Sequence, residues 1–119
     1  MASEKTSLKS NGVQMKSVPN CIDEAQGLLK AMASEPRLLI LCALLHNEQT
    51  VTELHESVGM AMSAVSQHLA KLREAQIVVT LRESQSIRYR LSSAAAEQLM
   101  TTLYGVFCAP SARSGKRRK

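Results

Sequence analysis

The segment LLILCALL at positions 38–45 limits the possible folds of this chain more than any other. Its only side chain that is not a hydrocarbon is one thiol, so a helix here is apolar on every side and needs neighbours on every side. Ser34 and Pro36 precede it. Ser is a common helix N-cap, and Pro is tolerated in a first turn, where its missing N–H would have no partner. The sequence therefore predicts a central, enclosed helix.

The rest of the 119-residue chain must surround this helix with little aromatic material, since it has one Phe, two Tyr and no Trp. This length suits one domain with an aliphatic core. No apolar run reaches the roughly 18–20 residues of a membrane span, and no secretory signal is recognisable. We therefore expect a cytoplasmic protein without membrane contact. Its three Cys are not expected to form a structural disulfide framework.

Two short helices are predicted after the apolar segment. Thr50-Val51-Thr52-Glu53 has the spacing of a capping box, and Gly59 is a natural stop for the helix that it starts. The next helix turns Val65, Leu69 and Leu72 inward. Its outer face is small, polar and basic, with Ser63, Ala64, Gln67, His68 and Lys71. This pair of helices predicts a helix-turn-helix.

Two β-prone segments, 77–82 and 86–91, come next and predict a hairpin that would form a wing. Ser92 or Ser93 then begins a last helix whose apolar stripe is typical of contact with another subunit. The predicted fold is mainly α with a small β-hairpin, in the order α-α-α-α-β-β-α. We expect a flexible N-terminal arm over 1–19, one DNA-binding and dimerisation domain over 20–109, and a flexible basic tail over 110–119.

The net charge of +5 is distributed unevenly along the chain. Residues 111–119 hold five basic residues, whereas residues 20–60 hold six acidic residues and two basic ones. Between them, residues 71–90 hold five basic residues and two acidic ones. A local basic patch on a slightly acidic body favours contact with a polyanion through one face. Charge alone is equally compatible with an ordinary solvated surface.

Three segments in this order resemble the ArsR family of winged helix-turn-helix repressors: residues 28–45, SAVSQHLAKLREAQIV at 63–78, and the hairpin ending YRL at 89–91. The resemblance covers roughly residues 20–108. It implies a homodimer, joined through the first and last helices, that binds a palindromic operator in double-stranded DNA. Family members commonly have Ser-Gln where this chain has Ala61-Met62. That difference removes a capping hydroxyl and replaces an amide with a thioether.

The predicted DNA contacts fall on the second helix of the helix-turn-helix and on the wing. Base contacts are expected from Ser63, Ala64, Gln67 and His68, with a packing role within the helix pair as the alternative for His68. Phosphate contacts are expected from Ser66 and Lys71. In the wing, the candidates for backbone or minor-groove contact are Arg82, Gln85 and Arg88.

The metal-binding motifs of the family are absent from this sequence. Family metal sensors carry a thiolate pair in a segment like E-L-C-x-C-D, whereas residues 53–58 read ELHESV. Others carry Asp and His on the last helix, which here has Glu97 and no His. We therefore expect neither a metal site nor a cofactor. The alternative is a metal-responsive repressor with a non-standard ligand set, drawn from His46, His55 or Cys108.

The cysteine positions resemble those of the persulfide-responsive branch of this family, the BigR-, SqrR- and HlyU-like repressors. That branch has one cysteine in the second helix and another near the end of the last, which correspond here to Cys42 and Cys108. The resemblance implies that reactive sulfur species, or another oxidant, join the two sulfurs by a disulfide or polysulfide bridge and weaken operator binding. From the residues alone, Cys42 is more simply a small core residue. Cys21 is a third candidate thiol.

Other functional classes have less support in the sequence. A cysteine-dependent enzyme is not expected, because no Cys has a recognisable His and acid partner. A winged helix used only for protein contacts fits less well with the polar and basic outer face of the predicted second helix. The sequence does not distinguish a repressor from a protein that competes with another repressor for its site.

Overall fold

The computed structural model describes residues 18–108, which form five helices and three strands. The helices are α1 (Val18–Met32), α2 (Glu35–His46), α3 (Val51–Val58), α4 (Met62–Glu74) and α5 (Ala94–Phe107). The strands are β1 (Gln49–Thr50), β2 (Val78–Glu83) and β3 (Ser86–Leu91). The predicted arm and tail lie outside the described residues, apart from Val18 and Pro19, which begin α1. Among residues 18–108, no helix is long and apolar enough to cross a membrane.

The chain divides into two units after Lys30. In the first unit, α1 places no side chain in a core: every residue from Val18 to Lys30 is exposed or half-buried. Its large apolar side chains include Ile22, 55% exposed, and Leu29, 52% exposed. These two residues are seven positions apart, close to two full turns, so they lie along one face of the helix. The first unit therefore carries an uncovered apolar face.

The second unit holds the core, to which most of its elements contribute. The buried apolar side chains are Met32, Ile40, Leu41, Leu44, Leu54, Val65, Leu69, Leu72, Ile77, Val78, Ala96 and Met100. On one side, α2 is central as predicted. On the other side the predicted enclosure is wrong, because Leu39 is 44% exposed and Leu38 and Cys42 are half-buried. This single chain therefore surrounds its most apolar helix on one side only.

The predicted helix-turn-helix is confirmed as α3, a tight turn and α4. Both hydrogen bonds of the capping box are present: the Thr50 N–H donates to Glu53 Oε1 at 3.0 Å, and the Glu53 N–H donates to Thr50 Oγ1 at 3.1 Å. Gly59 ends α3 in the left-handed region at φ 78°. The helix α4 begins after Ala61, which makes no side-chain capping bond. Ser34 and Ser93 cap α2 and α5 as predicted.

A buried amide fixes the short strand β1, which the sequence did not predict. The Gln49 side chain donates through Nε2 to the Ala43 carbonyl at 2.8 Å and accepts at Oε1 from the Ser57 hydroxyl at 3.3 Å. It thereby joins α2 to α3. With Gln49 held there, Thr50 pairs with Arg88 of β3, and the antiparallel sheet has the order β1-β3-β2.

The wing is the β2–β3 hairpin, with Val78 opposite Leu91 at its base and Glu83 opposite Ser86 near its tip. Two residues, Ser84 and Gln85, connect the strands, and Ser84 takes a left-handed φ of 55°. Two-residue hairpin loops favour such a conformation, which Gly adopts more easily than Ser. The predicted hairpin is therefore confirmed, with its tip formed without glycine.

The end of α4 is a Schellman motif that joins α4 to the wing. The Ile77 N–H donates to the Leu72 carbonyl and the Gln76 N–H to the Arg73 carbonyl, both at 2.9 Å. Ile77 and Leu72 are both fully buried, which supplies the apolar contact of the motif. Gln76 occupies the position that usually holds Gly, at φ 62°.

Replacing Gln76 with Gly should raise the free energy of unfolding by about 1 kcal/mol, because Gly adopts this φ without the penalty of an L side chain. Urea denaturation at one fixed protein concentration measures the change. The matched control is Gln98→Gly, at an exposed position inside α5, which should lower stability by about 1 kcal/mol. A Gln76→Gly protein less stable than wild type would contradict this account of the turn.

Candidate functional site

The outer face of α4 is the first candidate site. Val65, Leu69 and Leu72 are fully buried on the inner face. On the outer face, Ser63, Ser66, Gln67 and Lys71 are exposed, whereas Ala64 and His68 are half-buried. The predicted contact residues of α4 therefore share one helix face, and that face carries hydroxyls, an amide and an ammonium group.

His68 contacts α2 as well as lying on this face. The Arg37 Nε–H donates to His68 Nδ1 at 3.4 Å, and Arg37 Nη1 donates to the Ala31 carbonyl at 3.0 Å. One guanidinium thus joins the end of α1, the start of α2 and the middle of α4. Because Nδ1 accepts this bond, the ring is oriented by α2. The contact agrees with the packing alternative for His68.

The three wing residues differ in their surroundings. Arg82 and Gln85 are exposed near the tip. In contrast, the Arg88 side chain lies 3.4 Å from Glu53 Oε1 and 3.7 Å from Glu48 Oε1. Its guanidinium therefore compensates two carboxylates at the entrance to α3. Sequence reasoning missed these ion pairs, because β1 brings the carboxylates to Arg88 from 35 and 40 positions away.

The second candidate site is an apolar cavity of about 660 Å³ between α2 and α5. Its walls are largely hydrocarbon, including Leu38, Leu39, Leu103 and Tyr104. Cys42 and Cys108, which are 66 positions apart in sequence, both line it. Both are free thiols; Cys42 is half-buried and Cys108 is exposed at the end of α5.

The two thiols of this cavity interact electrostatically. Burial raises the pKa of Cys42 above its ordinary value of 9.0, and the charge of Cys108 raises it further. Thiolates are the nucleophiles in thiol chemistry, so the resting form of Cys42 is the less reactive thiol. The arrangement pairs a sheltered thiol with a solvent-accessible one.

An aromatic contact beside the cavity was not predicted. The rings of His46 and Tyr104 meet edge to face, with centroids 5.4 Å apart and planes at 84°. His46 Nδ1 also lies 3.0 Å from the Cys42 carbonyl oxygen. Each ring is four positions from a cysteine on the same helix, His46 after Cys42 and Tyr104 before Cys108. The contact therefore connects the ends of α2 and α5 that carry the thiols. In the sequence, the two four-residue spacings between a ring and a cysteine were the only indication of this contact.

The side chains considered as candidate metal ligands do not lie close together. His55 Nδ1 is hydrogen-bonded to the Met60 carbonyl in the turn between α3 and α4, whereas His46 and Cys108 are near the cavity. Across residues 18–108, no three His, Cys, Asp or Glu side chains are placed to hold a metal ion together. Cys21 is exposed on α1, in the first unit.

Comparison with known proteins agrees with the helix-turn-helix and with the wing. Residues 34–80, which contain α2, α3 and α4, match the family described as bacterial regulatory proteins of the arsR family. The transcriptional activator HlyU of Vibrio cholerae is 41% identical over 101 residues, which cover 85% of this chain and 94% of HlyU. The biofilm growth-associated repressor of Xylella fastidiosa is 41% identical over 87 residues, or 73% of this chain and 76% of that protein.

Solved structures of these relatives have the same fold. Reduced HlyU from V. cholerae superimposes with a TM-score of 0.75 over 79% of this chain and 99% of its own. The transcriptional repressor BigR from X. fastidiosa gives 0.72 at 37% identity, over 82% and 99% of the two chains. The fold is thus a winged helix-turn-helix, and with these identities and coverages the chain belongs to the ArsR family and is a DNA-binding transcriptional regulator.

Proposed function

We propose that this protein is a dimeric repressor whose affinity for a palindromic operator is lowered when reactive sulfur species or another oxidant join Cys42 to Cys108. The observation that carries the proposal is that both thiols line one apolar cavity and interact electrostatically across it. Since α2 and α5 each contribute one thiol, a bridge would add a covalent link between two helices that already meet at the His46–Tyr104 ring contact.

The accessible thiol reacts first in this scheme. The Cys108 thiolate attacks the terminal sulfur of a persulfide RSSH, forming Cys108–S–SH and releasing RS⁻, which takes up the proton lost by Cys108. Cys42 then gives up its proton and attacks the inner sulfur of Cys108–S–SH, forming the disulfide and releasing H₂S. Overall, two thiols and RSSH give one disulfide, RSH and H₂S. Both steps are thiol–disulfide-type exchanges at sulfur.

A longer bridge forms if both thiols first become persulfides. One persulfide then attacks the inner sulfur of the other, releasing H₂S and leaving three sulfur atoms between the two Cβ atoms. A direct disulfide requires Cα atoms within about 7 Å, whereas the trisulfide spans a greater distance. The apolar walls of the cavity favour either product, because a neutral bridge replaces a group that can ionise.

In this proposal, α2 is the element that connects the thiols with the DNA-binding helix α4. Cys42 lies on the same helix as Arg37, whose guanidinium donates to His68 of α4 and to the Ala31 carbonyl. A shift of α2 toward α5 would therefore move the guanidinium that orients a side chain of the recognition helix. This placement supports a positioning role for His68 within the DNA-binding face.

In this proposal, DNA contacts are assigned to side chains of α4 and the wing that are at least partly open to solvent and not engaged by other groups of residues 18–108. Base contacts are assigned to Ser63, Ala64 and Gln67 of α4, and phosphate contacts to Ser66 and Lys71. In the wing, Arg82 and Gln85 are assigned to the DNA, whereas Arg88 is assigned to the support of α3, because its guanidinium is engaged by Glu48 and Glu53.

Dimerisation is supported by the apolar surface that one copy leaves uncovered. Phe107 at the end of α5 is 67% exposed and Leu39 of α2 is 44% exposed, while α1 presents Ile22 and Leu29. Large exposed apolar side chains of this kind are typical of a surface that a partner covers. A second copy that covers them places two recognition helices on one operator, one for each half-site.

The descriptions of two relatives support repression as the direction of regulation. BigR is described as a transcriptional repressor and the X. fastidiosa protein as a biofilm growth-associated repressor. HlyU is described as an activator, and one of its structures is of the reduced protein. We assign repression to this chain, with the reduced form as the DNA-binding state.

Cys42→Ser and Cys108→Ser should each abolish the loss of operator affinity that follows treatment of the wild-type protein with an organic persulfide. Either change removes one end of the bridge but leaves DNA binding by the untreated protein close to wild type. Fluorescence anisotropy with labelled operator, before and after treatment, measures the effect. Cys21→Ser is the matched control and should respond like wild type.

Persulfide-induced release that persists in both the Cys42→Ser and the Cys108→Ser proteins would contradict the switch. Release by a divalent metal ion, with stoichiometric metal in the reduced purified protein, would instead support the metal-responsive alternative. Elemental analysis of the same preparations distinguishes these two outcomes.

The reactivity of Cys42 should depend on pH in a way that reports its burial. In a Cys21→Ser/Cys108→Ser protein, burial still raises the pKa of Cys42, so the rate of alkylation by iodoacetamide should rise with pH and reach its midpoint above 9.0. In urea the midpoint should return to about 9.0, because the unfolded chain no longer buries the thiol. Equal midpoints in the folded and unfolded protein would contradict the sheltered state of Cys42.

The two wing arginines should differ in how they change the salt dependence of DNA binding. Arg82→Ala should reduce the slope of log K against log salt concentration by about 2, since one phosphate contact is lost from each of the two wings of the dimer. Arg88→Ala should leave the slope unchanged and lower stability by no more than about 1 kcal/mol, because its ion pairs are partly exposed. A reduced slope for Arg88→Ala alone would reverse the two assignments.

A further inference from the structure

The first residue of the recognition helix is an exposed methionine, at the border between the buried side and the polar side of the helix. Met62 begins α4 and is 45% exposed. It lies one helical turn before Ser66 and beside Ser63, both of which are exposed. The fully buried residues Val65, Leu69 and Leu72 account for the core contacts of this helix. Helical spacing puts Met62 on the same side of α4 as Val65 and Leu69, but at the leading end of the helix 45% of its side chain is exposed. Met62 is therefore only partly covered by the core, and the exposed part lies at the end of α4 that is assigned to DNA.

The position of Met62 in the helix matters because N-terminal residues of a recognition helix are those that contact base edges in the major groove. Ala61, immediately before it, has no polar side-chain atom and makes no capping bond. Met62 is thus the longest side chain at the leading end of α4, ahead of the hydroxyl of Ser63.

We propose that Met62 is a specificity-determining residue that recognises thymine through the C5-methyl group. A thioether has no hydrogen-bond donor and is a weak acceptor, so it cannot match the donor and acceptor pattern of guanine, adenine or cytosine. Among the four bases, only thymine presents a methyl group in the major groove. The chemistry of the side chain therefore selects one base.

The size of this contact follows from the area that it removes from water. Burying one methyl group against the thioether corresponds to about a fourfold change in affinity for each half-site. Met is also unbranched and adapts its shape to its neighbours, so it can follow a methyl group without displacing the helix. The inference rests on the proposed placement of α4 in the major groove and is independent of the cysteine switch.

The test uses an operator that the reduced wild-type protein selects from a random DNA library. Each thymine of a half-site is then replaced by uracil, which removes only the C5-methyl group, and affinities are measured by anisotropy at one salt concentration. We expect wild type to bind about 16-fold more weakly when one particular thymine in each half-site loses its methyl group, which is fourfold for each of the two half-sites. The Met62→Ala protein should bind the thymine and uracil operators equally.

Met62→Gln provides a change of specificity rather than a simple loss. A Gln side chain can form two hydrogen bonds with adenine, so a library selected by this variant should favour adenine where wild type favours that thymine. The matched control is Met60→Gln, in the turn before the helix, which should retain the response of wild type to uracil. Circular dichroism and affinity for a nonspecific duplex show that each variant remains folded and binds phosphate.

Wild-type protein that binds all uracil-substituted operators as tightly as the original would overturn the assignment of Met62 while leaving DNA binding by α4 intact. A Met62→Ala protein that still discriminates between thymine and uracil would overturn it equally. Failure of the library to yield any operator would overturn the placement of α4 in the groove, and the assignment with it. None of these results would bear on persulfide-induced release, which the cysteine variants test separately.

Discussion

The one-sided burial of α2 is the constraint on which the rest of the second unit depends. Ile40, Leu41 and Leu44 are buried in the core on α2, which packs against α3, α4 and α5. Burying three such side chains contributes on the order of 5–8 kcal/mol before the entropy of ordering is subtracted. Because this inner side is fixed, the opposite side of the same helix, with Leu38, Leu39 and Cys42, forms a wall of the cavity.

The same helix connects Cys42 with α4 inside one structural unit. Cys42 lies on the open side of α2, and Arg37, near its start, donates to His68 of α4. At the other end of α2, His46 packs against Tyr104 of α5. A covalent bridge between α2 and α5 would therefore act on a helix that is already connected to the DNA-binding face at one end and to the thiol-bearing helix at the other.

Features set by local chemistry were predictable from the sequence. Ser34, the Thr50–Glu53 capping box, Gly59 and Ser93 all occupy their predicted roles, because a cap depends on residues within four positions of it. The inner face of α4 was equally clear from its spacing.

In contrast, β1 and the ion pairs of Arg88 could not be predicted from local sequence. They form because β3 pairs with a segment about 40 positions earlier in the chain. Gln76 in a left-handed conformation was missed because Gly is the usual signal for that position. The meeting of Cys42 and Cys108 at one cavity was expected only through the family resemblance.

The central claim is that a bond between Cys42 and Cys108 is what lowers operator affinity. The most direct test separates persulfide-treated protein into fractions that remain on operator DNA and fractions that are released, and maps the cysteine peptides of each by mass spectrometry. We predict that the released fraction contains the peptide of Cys42 linked to that of Cys108 within one chain, with or without added sulfur, and that the bound fraction contains both as free thiols. A released fraction in which Cys42 is unlinked, or a bound fraction that carries the link, would contradict the account.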